Sequence, residues 1–148
     1  NGIDGQIATA SGLAASPARG ATALICGDLT AVHDASALVL ANEHHLKIFV
    51  LDNGGGAIFD ELPFAEDSHQ FRRFFTTPQD VNIARVAQSY GLDVCTIAAC
   101  DVIDNTIRVL LQSERAVLCR ITIDPESDRH ARSSVREHII RTMESDYV

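Results

Sequence analysis

The chain has 148 residues with 12 basic and 20 acidic side chains, a formal net charge of −8 that repels a nucleic-acid backbone and argues against a nucleic-acid partner. An apolar fraction of 46% with 22% charged residues is ordinary for a soluble globular protein, and no apolar run approaches the roughly 18 residues that span a bilayer; a soluble, cytoplasmic protein without a membrane partner is expected. The length fits one domain over 1–148, with a core large enough to fold without disulfides or a structural metal.

In residues 5–15 the small side chains Ala8, Ala10, Gly12, Ala14 and Ala15 predict a tightly packed helix whose start is marked by Asn1 and Asp4, with a turn over 16–20 at Pro17 and Gly20. Residues 21–26 form a short, nearly continuous apolar run, the pattern of a central parallel strand covered on both faces, and it ends at Gly27-Asp28. Thr30 and Asp34 are candidates to cap a crossover helix reaching about His45, apolar on most sides through Val32, Ala35, Leu38, Val39 and Leu40. A second strand, 47–51, ends at Asp52-Asn53 and the triplet Gly54-Gly55-Gly56. Residues 21–51 therefore read as a β-α-β unit, which puts both strand ends on the same side of the sheet.

The segment 57–79 carries Phe59, Phe64, Phe71, Phe74 and Phe75 without clear period, as expected of a functional loop or a partner surface. A helix is predicted over 81–90, with Val81, Ala84 and Ala87 on its apolar side and Gly91 as its stop, then a strand over 94–97. A second amphipathic helix over 102–112 presents Ile103, Ile107, Leu110 and Leu111, and a fourth strand over 116–123 closes at Asp124-Pro125. The last helix, 128–145, is expected to bury Val135, Ile139, Ile140 and Met143. Its arginines Arg129, Arg132, Arg136 and Arg141 alternate with Asp128, Glu137 and Glu144 and read as a solvated face. The order predicts an α/β fold, a parallel sheet with helices on both faces.

An acid at one strand end and an amide with a glycine turn at the next meet at the sheet edge where ligands bind in open α/β folds. A hard cation such as Mg²⁺ takes near-octahedral oxygen ligands, a few from protein and the rest from phosphates and water. Asp28, the Asn53 side-chain oxygen and a carbonyl of the glycine turn supply three, a diphosphate and water the others, with amides over 27–30 available to phosphate oxygens. Taken singly, Asp28 reads as a helix cap, Asn53 as a turn residue and 54–56 as a flexible connection. No G-x-x-x-x-G-K-[ST] or G-x-G-x-x-G motif is present. The cysteines Cys26, Cys95, Cys100 and Cys119 lack C-x-x-C spacing and read as small apolar residues of a reducing compartment. His33, His44 and His45 lack a zinc spacing; Ser11, Ser16 and Ser36 lack a nucleophile elbow. Arg72 and Arg73 read as a solvated pair before a substrate-carboxylate site.

Gly27-Asp28 followed one β-α-β unit later by Asp52-Asn53 resembles the metal-diphosphate motif of thiamine diphosphate enzymes. With Asn1-Gly2-Ile3-Asp4-Gly5, Gly27-Asp28-Leu29-Thr30, Asn53-Gly54-Gly55-Gly56-Ala57-Ile58-Phe59, Leu62-Pro63 and Phe75-Thr76-Thr77-Pro78-Gln79-Asp80-Val81, the chain resembles the C-terminal domain of the MenD family, the SEPHCHC synthases of menaquinone (vitamin K2) biosynthesis. The resemblance is densest over 1–90. It implies the thiamin diphosphate-binding fold and a transferase that decarboxylates 2-oxoglutarate and adds the resulting carbanion to isochorismate, using thiamine diphosphate with Mg or Mn. Metal ligands would be Asp28, Asn53 and the Gly55 carbonyl. The cofactor would be bound by Gly2, Ile3, Gly27, Asp28, Leu29, Thr30, Asn53, Gly55 and Ile58, with Ile3 beneath it, and Ile58, Phe59 and Leu62 would form an apolar wall on the substrate side.

Asp52 departs from the family pattern, standing where an Asn is usual. The family's activating Glu sits in a separate N-terminal pyrimidine-binding domain, and its active sites form between subunits, so no catalytic residue is assigned in 1–148 and a homo-oligomer, dimer or tetramer, is expected. Opening on Asn1-Gly2 without Met, the chain is expected to be a C-terminal fragment of a longer multidomain enzyme, inactive alone. Two other readings stand beside this one: another thiamine-dependent 2-oxoacid decarboxylase or acetolactate-type synthase, and a non-catalytic domain of the same fold.

Overall fold

A computed structural model describes residues 2–16, 20–62, 69–98 and 103–145. The predicted turn at Pro17, the residues Pro63 and Phe64, and Cys100 lie outside them. Helix α1 (Gln6–Ala14) leads to strand β1 (Ala23–Gly27), α2 (Asp28–His33), a 3-10 turn (Ala35–Ala37), α3 (Leu38–Glu43) and β2 (Lys47–Asp52). A 3-10 turn (Ala57–Glu61), a helical turn α4 (His69–Phe71) and a π turn (Arg72–Thr76) follow, then α5 (Ile83–Ser89), β3 (Asp93–Ile97), α6 (Ile103–Leu111), β4 (Val117–Thr122) and α7 (Pro125–Ser145). The four strands pair in parallel in the order β1-β2-β4-β3, with Gly27 beside Leu51 and Asp52 beside Thr122. The α/β parallel sheet expected from the pattern is the observed architecture.

Strand alternation divides the core between the two faces. On one, Cys26, Ile48, Val50 and Leu118 meet α1, α2, α3 and α5 through Ile7, Ala10, Ala31, Leu38, Ala41, Ile83 and Ala87. On the other, Phe49, Ile97, Cys119 and Ile121 take Ile103, Ile107 and Leu110 of α6. The buried ammonium of Lys47 donates to the carbonyls of His45 (2.6 Å) and Arg115 (2.7 Å), fastening the sheet at the end opposite Asp52.

Several expectations are corrected. Among the described residues β1 is an edge strand, with Ile25 67% exposed, because α6 covers only the three strands beyond it; an apolar run cannot tell a covered face from an uncovered one. The crossover is three short helical pieces, not one helix: Asp34 ends α2, Thr30 lies buried inside it, and the Asp34 carboxylate accepts the amide N–H groups of Ile7 (2.7 Å) and Ala8 (3.1 Å). Asp34, and not Asp4, therefore satisfies the first donors of α1. Asn82 caps α5 by accepting from Arg85 N–H (3.1 Å), leaving Val81 outside the helix and exposed while Ile83 takes the core position. Leu111, at the end of α6, is half-exposed. Finally, Val135, Ile139, Ile140 and Met143 of α7 are 49–59% exposed, since α7 projects from the sheet instead of packing on it. Asp124 caps this helix by accepting from Ser127 N–H (2.8 Å), with Pro125 in its first turn, so it begins three residues before the predicted start.

Candidate functional site

The β1–β2 register places Gly27 next to Leu51, so the chain leaves both strands side by side at one sheet edge. Asp28 opens α2 there and is only 7% exposed. Its carboxylate accepts the N–H of Leu29 (2.8 Å), and the Asp52 carboxyl and the Gly55 amide stand near it. Burial pushes the Asp28 carboxyl above the usual carboxylate range, and the contact with Asp52 adds to this; the Leu29 and Gly55 amides work against it. Asp52 in turn accepts from Gly54 N–H (3.2 Å) and pairs with Arg120 Nε of β4 (2.5 Å).

The glycine turn is held from below. Gly56 N–H donates to Thr76 carbonyl (2.6 Å), and Gly55, at φ 126°, has so little room that a Cβ would stand 2.3 Å from the same oxygen. Only glycine fits at this position. The Gly55 carbonyl accepts from Ala57 N–H (3.0 Å). Beneath, Phe75 stacks on Phe71 at 5.0 Å and meets Phe59 edge-on at 6.1 Å. The described helical pieces of the Phe-rich segment read as irregular, Ala57–Glu61, His69–Phe71 and Arg72–Thr76, thus support the metal-loop candidate. Asn53 and Gly54 open onto a cavity of about 590 Å³ shared with Asp60, Arg72, Asp124 and Arg129.

The structure brings together Gly27, Asp28, Leu29, Asp52 and Gly55, with Asn53 at the rim of the adjoining cavity. It sets the wall residues apart: Ile58 is 73% exposed, Leu62 is partly buried, and Phe59 turns inward to Phe75. Gly2 and Ile3 lie at the entry to α1, and that entry docks on Asp34, at the far end of α2 from Asp28 and one helix length, about 9 Å, away. Arg73 lies over the Phe74 ring at 5.5 Å, and Arg72 faces the cavity.

Sequence reasoning missed the roles of three sets of residues. Arg120 interrupts an otherwise apolar strand, a visible anomaly whose partner is not visible. Asp34 is the second. The third is the set of α7 arginines: Arg132 and Arg141 make the expected i,i+4 pairs with Asp128 and Glu137, but Arg129 also reaches Asp60 (3.3 Å), and Arg132 and Arg136 both reach Glu61, tethering α7 to the wall turn.

A divalent cation with diphosphate fits this donor set. It needs a fixed carboxylate, an amide oxygen and a backbone that approaches closely; here the buried Asp28 carboxylate is fixed by the Leu29 N–H, Asn53 stands at the rim of the cavity, and the turn has open space at Gly54, where a Cβ would meet nothing within 4 Å.

Residues 3–121 match the family described as thiamine pyrophosphate enzyme, C-terminal TPP binding domain, and the chain belongs to that family. Among curated relatives it is similar to the 2-succinyl-5-enolpyruvyl-6-hydroxy-3-cyclohexene-1-carboxylate synthases of Trichodesmium erythraeum, at 35% identity over 84% of this chain and 23% of that protein, and of Parasynechococcus marenigrum, at 33% over 92% and 25%. The chain spans about a quarter of the length of these relatives. Among solved structures, the thiamine diphosphate-dependent 4-hydroxybenzoylformate decarboxylase of Rhodococcus jostii superposes with a TM-score of 0.65 at 19% identity, over 80% of this chain and 23% of that one, a likeness of fold.

Proposed function

We propose that this domain holds the metal-diphosphate end of thiamine diphosphate in a SEPHCHC synthase that decarboxylates 2-oxoglutarate and joins the remaining four-carbon unit to isochorismate. The single observation that carries it is the meeting of Asp28, Asp52 and the Gly55 turn at the ends of adjacent parallel strands, in a chain whose curated relatives are SEPHCHC synthases. When bound, the cofactor supplies the electron sink for decarboxylation.

In this reading the chain contributes binding and positioning. Asp28, the Asn53 side chain and the Gly55 carbonyl hold Mg²⁺ or Mn²⁺, and the neighbouring Gly27, Leu29 and Thr30 line the diphosphate. The exposed Ile58 and Phe59 and the partly buried Leu62 border the substrate side, where they exclude water once the rest of the enzyme closes over them. Gly2 and Ile3 approach the cofactor from the entry of α1. The pyrimidine end and the proton-transferring acid come from a further, N-terminal domain of a homo-oligomeric cytoplasmic enzyme, so this chain alone has no synthase activity.

The test uses full-length protein. Calorimetry with thiamine diphosphate and Mg²⁺ is expected to show binding, lost in Asp28→Asn, while the same substitution raises the thermal midpoint of the cofactor-free protein, because a buried charge beside a second carboxylate is removed. Turnover of 2-oxoglutarate with isochorismate, and not of pyruvate alone, is the expected specificity. Cofactor binding that survives Asp28→Asn refutes the site; turnover of pyruvate in its place refutes the substrate.

A further inference from the structure

At the candidate metal edge two carboxylates, Asp28 and Asp52, stand at the ends of adjacent parallel strands, with the amide of Asn53 following Asp52. Asp28 and Asp52 each follow one of the paired residues Gly27 and Leu51, and Asp52 is largely buried, its side chain 15% exposed. Two carboxylates at one sheet edge are both available to a divalent ion, and a metal that takes both loses positions that diphosphate oxygens would fill. The fold supplies an answer on the neighbouring strand. Arg120 lies on β4 opposite Val50, on the same face as Asp52 two residues along, and its Nε donates to Asp52 Oδ2 at 2.5 Å. Gly54 N–H occupies Oδ1 at 3.2 Å, so both Asp52 oxygens are engaged by the protein, whereas Asp28 accepts the Leu29 N–H at Oδ1. An arginine in the middle of an apolar strand, 31% exposed at its side chain, has no solvation reason to be there; the carboxylate is its reason.

We propose that Arg120 is a positioning residue that holds the Asp52 carboxylate out of the metal's coordination shell and cancels its charge, so that the edge offers a divalent ion one ionised carboxylate and leaves its remaining positions to diphosphate. This rests on the metal-diphosphate reading of Asp28, Asn53 and Gly55. The pair makes the site dependent on diphosphate for tight metal binding: metal alone is held weakly, metal with diphosphate well. Freed from Arg120, Asp52 turns to Asp28 and the two take up metal without diphosphate. Deprived of Asp52, Arg120 becomes an uncompensated cation that repels metal.

The two substitutions therefore shift metal affinity in opposite directions, which a merely structural ion pair does not do. Mn²⁺ is the probe, counted as the free ion by electron paramagnetic resonance in full-length protein, with and without thiamine diphosphate. Arg120→Gln is expected to tighten Mn²⁺ binding in the absence of diphosphate by about tenfold, the scale of one added carboxylate beside a divalent ion in a partly aqueous site, and Asp52→Asn to weaken it several-fold. The double variant R120Q/D52N is expected within about twofold of wild type, and Arg120→Lys, which keeps the charge, near wild type. The proposal is overturned if Arg120→Gln leaves Mn²⁺ affinity unchanged, if its effect persists undiminished in the double variant, or if both single substitutions weaken binding alike. Should Arg120→Gln not fold, the sign of the Asp52→Asn shift decides. A wild-type protein that holds neither Mn²⁺ nor Mn²⁺ with thiamine diphosphate sinks the metal-diphosphate reading itself, whereas normal wild-type binding with unmoved variants sinks only the role of Arg120.

Discussion

Gly55→Ala tests how the candidate metal loop is held. The added Cβ would stand 2.3 Å from the Thr76 carbonyl oxygen and 3.3 Å from its carbon, against an ordinary contact of 3.4 Å or more. Something must move by about an ångström, and the Thr76 neighbour is backbone, not a flexible side-chain end. The backbone at φ 126° adds strain of about 1–3 kcal/mol for any residue with a Cβ. Relief by pulling the turn from Thr76 forfeits the Gly56 N–H bond to that oxygen, worth about 1 kcal/mol, so a total near 2–4 kcal/mol is expected. Gly54→Ala is the control. Gly54 also has positive φ, 82°, but a Cβ there meets nothing within 4 Å, and the loss is expected at about 1–2 kcal/mol of strain alone. Urea unfolding of both variants followed by circular dichroism measures the difference, and calorimetry with thiamine diphosphate and Mg²⁺ on full-length protein is expected to lose affinity for Gly55→Ala far more than for Gly54→Ala. Equal stability of the two variants within about 0.5 kcal/mol would falsify the claim that Thr76 fixes the turn.

Asp34→Ala is expected to cost about 2–3 kcal/mol, since it leaves the Ile7 and Ala8 amides without their charged acceptor and separates α1 from α2; the shift in urea midpoint at unchanged slope reads it. Burial pushes the Cys26 thiol up to about 11, helped by the charges of Asp34 and Asp28, and burial with the adjacent Cys95 pushes Cys119 to about 12. Both thiols hold protons in the folded chain after the unfolded chain has lost them near 9, so stability is complete below that pH and falls as the pH rises from there towards 11–12. A Cys26→Ala, Cys119→Ala double variant is expected to flatten that part of the stability–pH curve, and a curve as steep as wild type would show that other groups control it.

The sequence by itself determined the order of the elements, the parallel sheet and the two loops of the candidate site, because each is written locally. Apolar runs of five or six residues, a glycine after Asp52-Asn53 and an acid after Gly27 report on their own few neighbours, and strand ends joined by one β-α-β crossover must share an edge. What only the tertiary structure decided depends on contacts between residues far apart in the chain. Strand order made β1 an edge and left Ile25 exposed, although its sequence reads as a central strand. Periodicity showed that α7 has an apolar stripe but not that the sheet fails to cover it. Asp34 reads locally as the cap of its own helix and serves another, 26 and 27 residues back. Arg120 and Asp52, 68 residues apart, are each anomalous in their own strands, a charge in an apolar run and an acid where an amide is usual, and the fold makes the two anomalies one ion pair.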